Sequence, residues 1–332
     1  MQTLDKKCWL TAVSSTSAAI ARRAFGFTFS ARSVFIGKLL VAVVLMVFLV
    51  QWTNLTQKID VFKSAKWPYL TLAILLFPAN ILIQVHKWHF LLKSAQPAAT
   101  FSSAIKSLMG AYPLGFITPG RLGEFSRAFF IVGMDSKTAF QLFLVDKLSN
   151  LIITLTAGAA GAVILFRHQL TFNLNTLLMT LFLLAGSLTI LLVFGRSKWH
   201  LAIQKFISKI LSHRNSLFKL LSFSALFYVI FLLQFIALIE NFQSVNFWMA
   251  ACAAASVFLV KSLLPISLGD LGIREGAAVF FLHQIAVAPA AAFNAALLLY
   301  LLNVALPSLA GLGFLLKMRR PISSPVLAES RT

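Results

Sequence analysis

Apolar runs of about 20 residues, the length a helix needs to cross the hydrocarbon of a bilayer, recur along almost the whole chain. They occupy residues 34–52, 67–92, 139–166, 174–194, 217–239, 247–265 and 291–316, with a shorter run at 275–287. No hydrophilic stretch long enough for a soluble domain is left between them. At 59% hydrophobic and 11% charged residues, the chain has too little polar surface to wrap such runs in water. An all-α polytopic membrane protein is expected, with about eight transmembrane helices across residues 34–316.

Residues 101–132 are equally apolar but are broken by Gly110, Pro113, Gly115, Pro119, Gly120 and Gly123, more punctuation than one continuous helix tolerates. The segment reads as a re-entrant hairpin. Between two of the long runs, Trp199, Ile203, Phe206, Ile207 and Ile210 recur at helical spacing, with Lys198, Lys205 and Lys209 on the other face. That pattern predicts an amphipathic helix over 197–213 lying on the membrane surface.

The formal net charge of +20, from 29 basic and 9 acidic residues, would point to nucleic acid in a soluble chain. Here most Lys and Arg fall between apolar runs, where they meet anionic headgroups on the cytoplasmic side, and no nucleic-acid partner is expected. They collect in a tail at 1–33, at Lys87, Lys93 and Lys106, in the loop 196–214, and in a tail at 317–332. Placing these regions on one side predicts a multi-pass protein of the plasma (inner) membrane with both termini cytoplasmic. His86, Lys87, Trp88 and His89 read as an interfacial belt closing the second span. The two cysteines, Cys8 and Cys252, give neither a disulfide framework nor metal-ligand spacing, so no metal or cofactor is expected.

A charge near the bilayer centre costs about 2.5–3.5 kcal/mol on insertion scales, so each one retained there asks for a partner or a purpose. Glu124, Asp146, Asp270 and Glu275 all lie in or beside apolar segments with bases close in sequence: Arg121 and Arg127, Lys147, and Arg274. Lys261 adds a cation with no acid nearby in sequence. In FITPGRLGEFSRAFF, Thr118 is suited to cap a helix start and Pro119 to its first turn, exposing backbone donors and a positive dipole end to an anion. Gly120 and Gly123 would let a ligand approach the backbone, Arg121 would hold a phosphate, and Glu124 with Arg127 would orient it. The same charges would also serve simply to pair with one another and seal a polar hairpin.

A second stretch, VKSLLPISLGDLGIREGAAVFF, repeats the arrangement: Pro119, Gly123, Glu124 and Arg127 are echoed by Pro265, Gly269, Asp270 and Arg274, with one residue of slippage. A duplicated break in two halves of a membrane chain points to a site at a repeat interface. Asp270 is equally suited to cap a helix beginning at Leu271. In LVDKLSNLI, Asp146 and Asn150 stand one turn apart on one face. Further along, Ala157 with Gly161 and Gly158 with Ala162 favour close helix packing.

Taken in order, TPGRLGEFSR, the Asp146–Lys147 pair and LPISLGDLGIREGA resemble the lysylphosphatidylglycerol synthase transmembrane family of flippase-like proteins, over roughly 34–316. The resemblance implies an eight-span fold with re-entrant elements and a role in moving a lipid between leaflets, hopanoid and polyprenyl-linked lipids being classes linked to relatives. No soluble synthase domain accompanies these residues, so a stand-alone membrane domain is expected and aminoacylating activity is not carried over. Where members often have two glycines before LG, this chain has Gly269 and Asp270.

The expected function is translocation or binding of a membrane lipid whose anionic headgroup sits among Thr118, Gly120, Arg121, Gly123, Glu124, Arg127, Asp146, Lys147, Lys261, Asp270, Arg274 and Glu275. A membrane-embedded transferase with Glu124 or Asp146 as general base is the rival reading, but no Gly-rich nucleotide loop or nucleophile with a nearby His is visible, and no enzyme activity is expected. A noncatalytic membrane scaffold for a lipid-synthesis enzyme is the third.

Overall fold

A computed structural model describes residue 51 and residues 65–118, 121–131, 133–167, 214–264 and 270–317. The runs at 34–52 and 174–194, the amphipathic stretch 197–213, the tail 1–33 and nearly all of 317–332 lie outside the described residues, as do Pro119, Gly120, Pro265 and Gly269. Among the described residues every regular element is helical and none is a strand.

Helix α1 spans Trp67–Ala95, α2 Phe101–Ile117, α3 Ser136–Phe166, α4 Arg214–Phe242, α5 Phe247–Leu263, α6 Ile273–His283, α7 Pro289–Tyr300 and α8 Leu306–Lys317. A 3₁₀ segment, Leu122–Phe130, follows α2, and a π turn, Leu301–Ala305, joins α7 to α8 without a break. Side chains cap several starts. Thr100 accepts from the Ser103 N–H, Asp135 from Thr138, and Asn246 from Trp248 and Met249, each satisfying donors that have no partner within the helix.

Four helical stretches are long and apolar enough to cross a membrane: Trp67–Ala95, Thr138–Phe166, Asn215–Phe242 and Pro289–Phe314. Their outer faces carry large apolar side chains that are mostly exposed, Trp67, Leu75, Val163, Phe218 and Leu309 among them. Such a surface is stable only against lipid.

Two of the expected crossings are shorter than the others. Helix α5 has 17 residues and α6 has 11, roughly 25 and 16 Å of helix, each short of the about 30 Å of hydrocarbon. They pack on each other as two legs of one interrupted unit, parted at 264–272. The 101–132 segment has the same plan: a 17-residue helix, a break, and a short return leg packed on it.

The expectation that Gly110, Pro113 and Gly115 break the first leg is corrected, since all three lie inside the continuous helix α2. Space explains the glycines. A Cβ on Gly110 would meet the Phe130 ring at 2.7 Å, and one on Gly115 would meet Glu124 Cγ at 2.7 Å, so both let the return leg lie directly on α2. Pro113 removes the N–H that would bond the Met109 carbonyl, and Gly311 of α8 passes that oxygen more closely than any Cβ would allow.

The core falls into two clusters. One joins α4, α5, α6 and α7 through Phe235, Phe258, Phe281 and Phe293; the other joins α1, α2 and α3 through Trp88, Leu108, Tyr112 and Leu142. Gln234, fully buried, ties elements together: it donates to the Ala73 carbonyl at 2.9 Å and accepts from Asn303 at 2.9 Å. The small-residue spacing in α3 does what it suggested. Gly158 and Gly161 face α5, where a Cβ would meet Leu259 and the Cys252 carbonyl at 2.6 and 2.7 Å.

Candidate functional site

The break after α2 is built by Thr118. It ends α2, donating its hydroxyl to the Leu114 carbonyl at 2.7 Å and accepting the Gly123 N–H at 2.6 Å. Arg121 donates its N–H back to Thr118, and Glu124 donates its own to Arg121. Thr118 therefore serves both sides of the break, closing α2 and capping the first turn of the 3₁₀ segment, and the N–H groups of Arg121, Gly123 and Glu124 are taken within the turn, not left free for an anion. Gly123 has a packing role as well, because a Cβ there would collide with the Leu114 carbonyl oxygen. Arg121 adopts the left-handed backbone conformation, φ 57°, which throws its side chain inward beside Glu124.

A buried ionic network hangs from this turn. Glu124 is 2% exposed and takes three cations: Arg121 on Oε1 at 2.6 Å, and Arg127 and Lys147 on Oε2 at 2.7 and 2.6 Å. Arg127 reaches on to Asp146 at 2.9 Å, and Lys87 of α1 meets the other oxygen of Asp146 at 2.9 Å. Lys87 also donates to Asn150 at 2.7 Å, so the Asp146–Asn150 face of α3 holds one ammonium between its two members. The Arg127 guanidinium lies 5.2 Å from the Trp88 ring and 5.9 Å from Phe143, while Trp88 donates its indole N–H to Ser107 at 2.7 Å.

Lys87 and Trp88 are thus not an interfacial belt. Both are almost wholly buried, because α1 runs on two turns beyond them to Ala95 and its inner face meets α2 and α3. Removing Lys87 from the surface charges leaves the orientation argument resting on the other basic clusters. Asp146 pairs across the bundle with Lys87 and Arg127, and Lys147, its neighbour in sequence, serves Glu124 instead.

The second break is assembled more loosely. Asp270 also has a left-handed backbone, φ 64°, and reaches Lys261 at 3.3 Å and Arg274 at 4.0 Å. Lys261 therefore has an acid, one that sequence distance concealed. The helix cap here is Gly272, at φ 86°, and not Asp270. Glu275 turns back to accept the Gly272 N–H at 2.6 Å, and no ion pair joins it to Arg274 among the described residues. The Arg274 guanidinium stacks 5.5 Å from the Tyr300 ring, and Tyr300 meets Phe116 of α2 at 6.3 Å, so the two breaks converge on this tyrosine. Arg121 is near enough to act electrostatically on both Lys261 and Asp270.

The structure therefore brings Arg121, Glu124, Arg127, Asp146 and Lys147 into one network and Lys261, Asp270 and Arg274 into a second beside it, with Glu275 bound to its own helix start. In the first network the four cations Lys87, Arg121, Arg127 and Lys147 face two carboxylates. Three of the participating cations are partly open, with side-chain exposures of 20% for Arg121, 36% for Lys147 and 20% for Lys261. An anion approaching from outside meets these first.

The sequence pattern of the lysylphosphatidylglycerol synthase TM region matches residues 35–311 of the 332. Neither a curated protein nor a solved structure matches the chain. The match covers most of the chain, which therefore belongs to that family and has a membrane- and lipid-related function.

Proposed function

We propose that this member of the lysylphosphatidylglycerol synthase transmembrane family binds the anionic headgroup of a membrane lipid at the interrupted helices and carries it between leaflets. The observation that supports the reading is the surplus of two positive charges in a buried network of four cations and two carboxylates. Burying uncompensated charge costs several kcal/mol per ion, so the network is incomplete without an anion. Arg121 and Lys147 are partly open and take the headgroup; Lys87 and Arg127 lie beneath and hold the carboxylates in place.

The lipid is moved and not chemically altered. Glu124 and Asp146 have their oxygens committed to two or three cations each, which leaves neither free to accept a proton from a substrate. The two interrupted helices enter the bilayer as re-entrant elements of a plasma-membrane protein whose basic termini face the cytoplasm.

Native mass spectrometry of gently extracted protein tests the site. One anionic lipid class should copurify with the parent and be lost from the Arg121→Ala, Lys147→Ala variant, and that lipid should exchange between leaflets in proteoliposomes containing the parent. Indiscriminate bulk lipid in both proteins would reduce the network to internal ion pairing and remove the reading.

A further inference from the structure

Among the described residues, the second break holds donors that have no partner. Arg274 is 1% exposed, yet its Nε and Nη1 have no acceptor, and its nearest carboxylate oxygen, on Asp270, is 4.0 Å from Nη2. Buried polar groups are almost always satisfied, and a guanidinium loses most when it is not. A further acid beside it, Glu275, accepts the Gly272 N–H on Oε2, and its Oε1 is unpaired without meeting the guanidinium. Lys261 reaches the same Asp270 oxygen only at 3.3 Å, against 2.6–2.9 Å throughout the first network. Lys261 and Arg274 thus share one weakly held carboxylate, and two of the arginine's donors are left over.

The charge count bears on the ligand's charge and not on the second break, where Lys261 and Arg274 are matched in number by Asp270 and Glu275 and the surplus lies in the first network. With every group in its ordinary ionisation state, the two networks together hold six cations, Lys87, Arg121, Arg127, Lys147, Lys261 and Arg274, against four carboxylates, Glu124, Asp146, Asp270 and Glu275. An ordinary phosphodiester headgroup carries one negative charge and would leave one cation uncompensated. Arg121 stands between the networks, acting on Glu124 directly and on Lys261 and Asp270 across the gap.

We infer that Arg274 and Lys261 form a phosphoryl subsite at the second break, and that the ligand carries negative charge on two adjoining phosphoryl groups, a lipid diphosphate. The inference rests on the headgroup reading above and narrows its substrate class. One phosphoryl group lies against Arg121 and Lys147, the other takes the unused donors of Arg274, and Asp270 yields its weak hold on Lys261 as it enters.

The test uses the full chain in neutral detergent, titrated with three probes and read by native mass spectrometry: farnesyl diphosphate, farnesyl methyl phosphate as the single-charge probe with the same chain, and inorganic diphosphate. Farnesyl diphosphate should bind about tenfold or more tightly than the methyl ester, the worth of one or two charge-assisted hydrogen bonds. Lys261→Gln should erase that preference, weakening the diphosphate far more than the methyl ester. Arg274→Gln should do the same, and the part-exposed Lys261 keeps the test valid if the Arg274 variant fails to fold. Equal binding of the two prenyl probes, unmoved by Lys261→Gln, would overturn the subsite and leave the headgroup reading standing. Binding of neither prenyl probe would overturn both. Inorganic diphosphate binding as tightly as farnesyl diphosphate would keep the phosphoryl chemistry and overturn its assignment to a lipid.

Discussion

The two interrupted helices share a plan and differ in how they are held. In 101–130 and in 247–283 a 17-residue helix ends, the chain turns through a non-glycine residue in the left-handed conformation, and a short leg packs back. At the first turn Glu124 is gripped by three cations within 2.7 Å, the N–H groups are consumed internally, and two glycines bring the return leg against the helix. At the second turn Asp270 is held at 3.3 and 4.0 Å, and Arg274 leaves two nitrogens unpaired, against one on Arg127 of the first. The same motif has been fixed rigidly in one half and left yielding in the other. The lipid-carrying role proposed above would use that asymmetry, since one wall must keep its shape while the other answers to the ligand.

The largest effect should come from the carboxylate at the centre of the rigid turn. Glu124→Gln keeps the volume but leaves Arg121, Arg127 and Lys147 facing one another with a single acid, Asp146, remaining. Removing one partner from a buried ionic cluster costs about 3–5 kcal/mol, so a marked fall in the thermal unfolding midpoint is expected in detergent. Asp270→Asn in the looser turn should lower it much less. Equal losses in the two variants would break the contrast between the halves.

Gly123→Ala comes next. The new methyl would overlap the Leu114 carbonyl, and backbone cannot step aside as a side chain can, so about 1–3 kcal/mol of overpacking is expected. Gly313→Ala, where a Cβ meets nothing within 4 Å, is the matched control and should leave the midpoint unchanged or raised through better helix propensity. Comparable destabilisation by both would show that the return leg is not pressed against α2.

Much of this arrangement was legible beforehand, and the reasons for the rest are physical. Apolar run lengths located α1, α3, α4 and the α7–α8 rod, because hydrocarbon thickness imposes one length on any spanning helix. The helix-spaced Glu124–Arg127 pair was readable because residues three apart on a helical turn are neighbours. Lys87 was misread, since its position near the end of an apolar run is also where a snorkelling lysine belongs. Only the extension of α1 to Ala95 and the acid on α3 reveal that it turns inward. Lys261 shows the same limit: its acid is close in space through a turn that helical periodicity does not describe. Thr118 was read only as a helix start because a hydroxyl serves a helix end and a helix start by the same hydrogen-bonding chemistry, and its second role, closing α2, is not visible in local sequence.

The smallest effect, and the finest discrimination between the halves, is expected from Asp270→Gly. A non-glycine residue at φ 64° costs about 1–2 kcal/mol, less for aspartate, and glycine removes that strain. Against this stands the loss of a weak pairing to Lys261, itself one-fifth exposed, worth no more than about 1 kcal/mol after solvent screening. The two nearly offset, so the unfolding midpoint should move by less than the equivalent of about 1 kcal/mol in either direction. Anion binding should respond differently. With the competing carboxylate gone, Lys261 and Arg274 face the subsite unopposed, and farnesyl diphosphate should bind more tightly than to the parent. A variant that is both destabilised and weaker in binding would show Asp270 to be a structural member of the site. In that case the second break would be no looser than the first, and its longer ion-pair distances would carry no functional meaning.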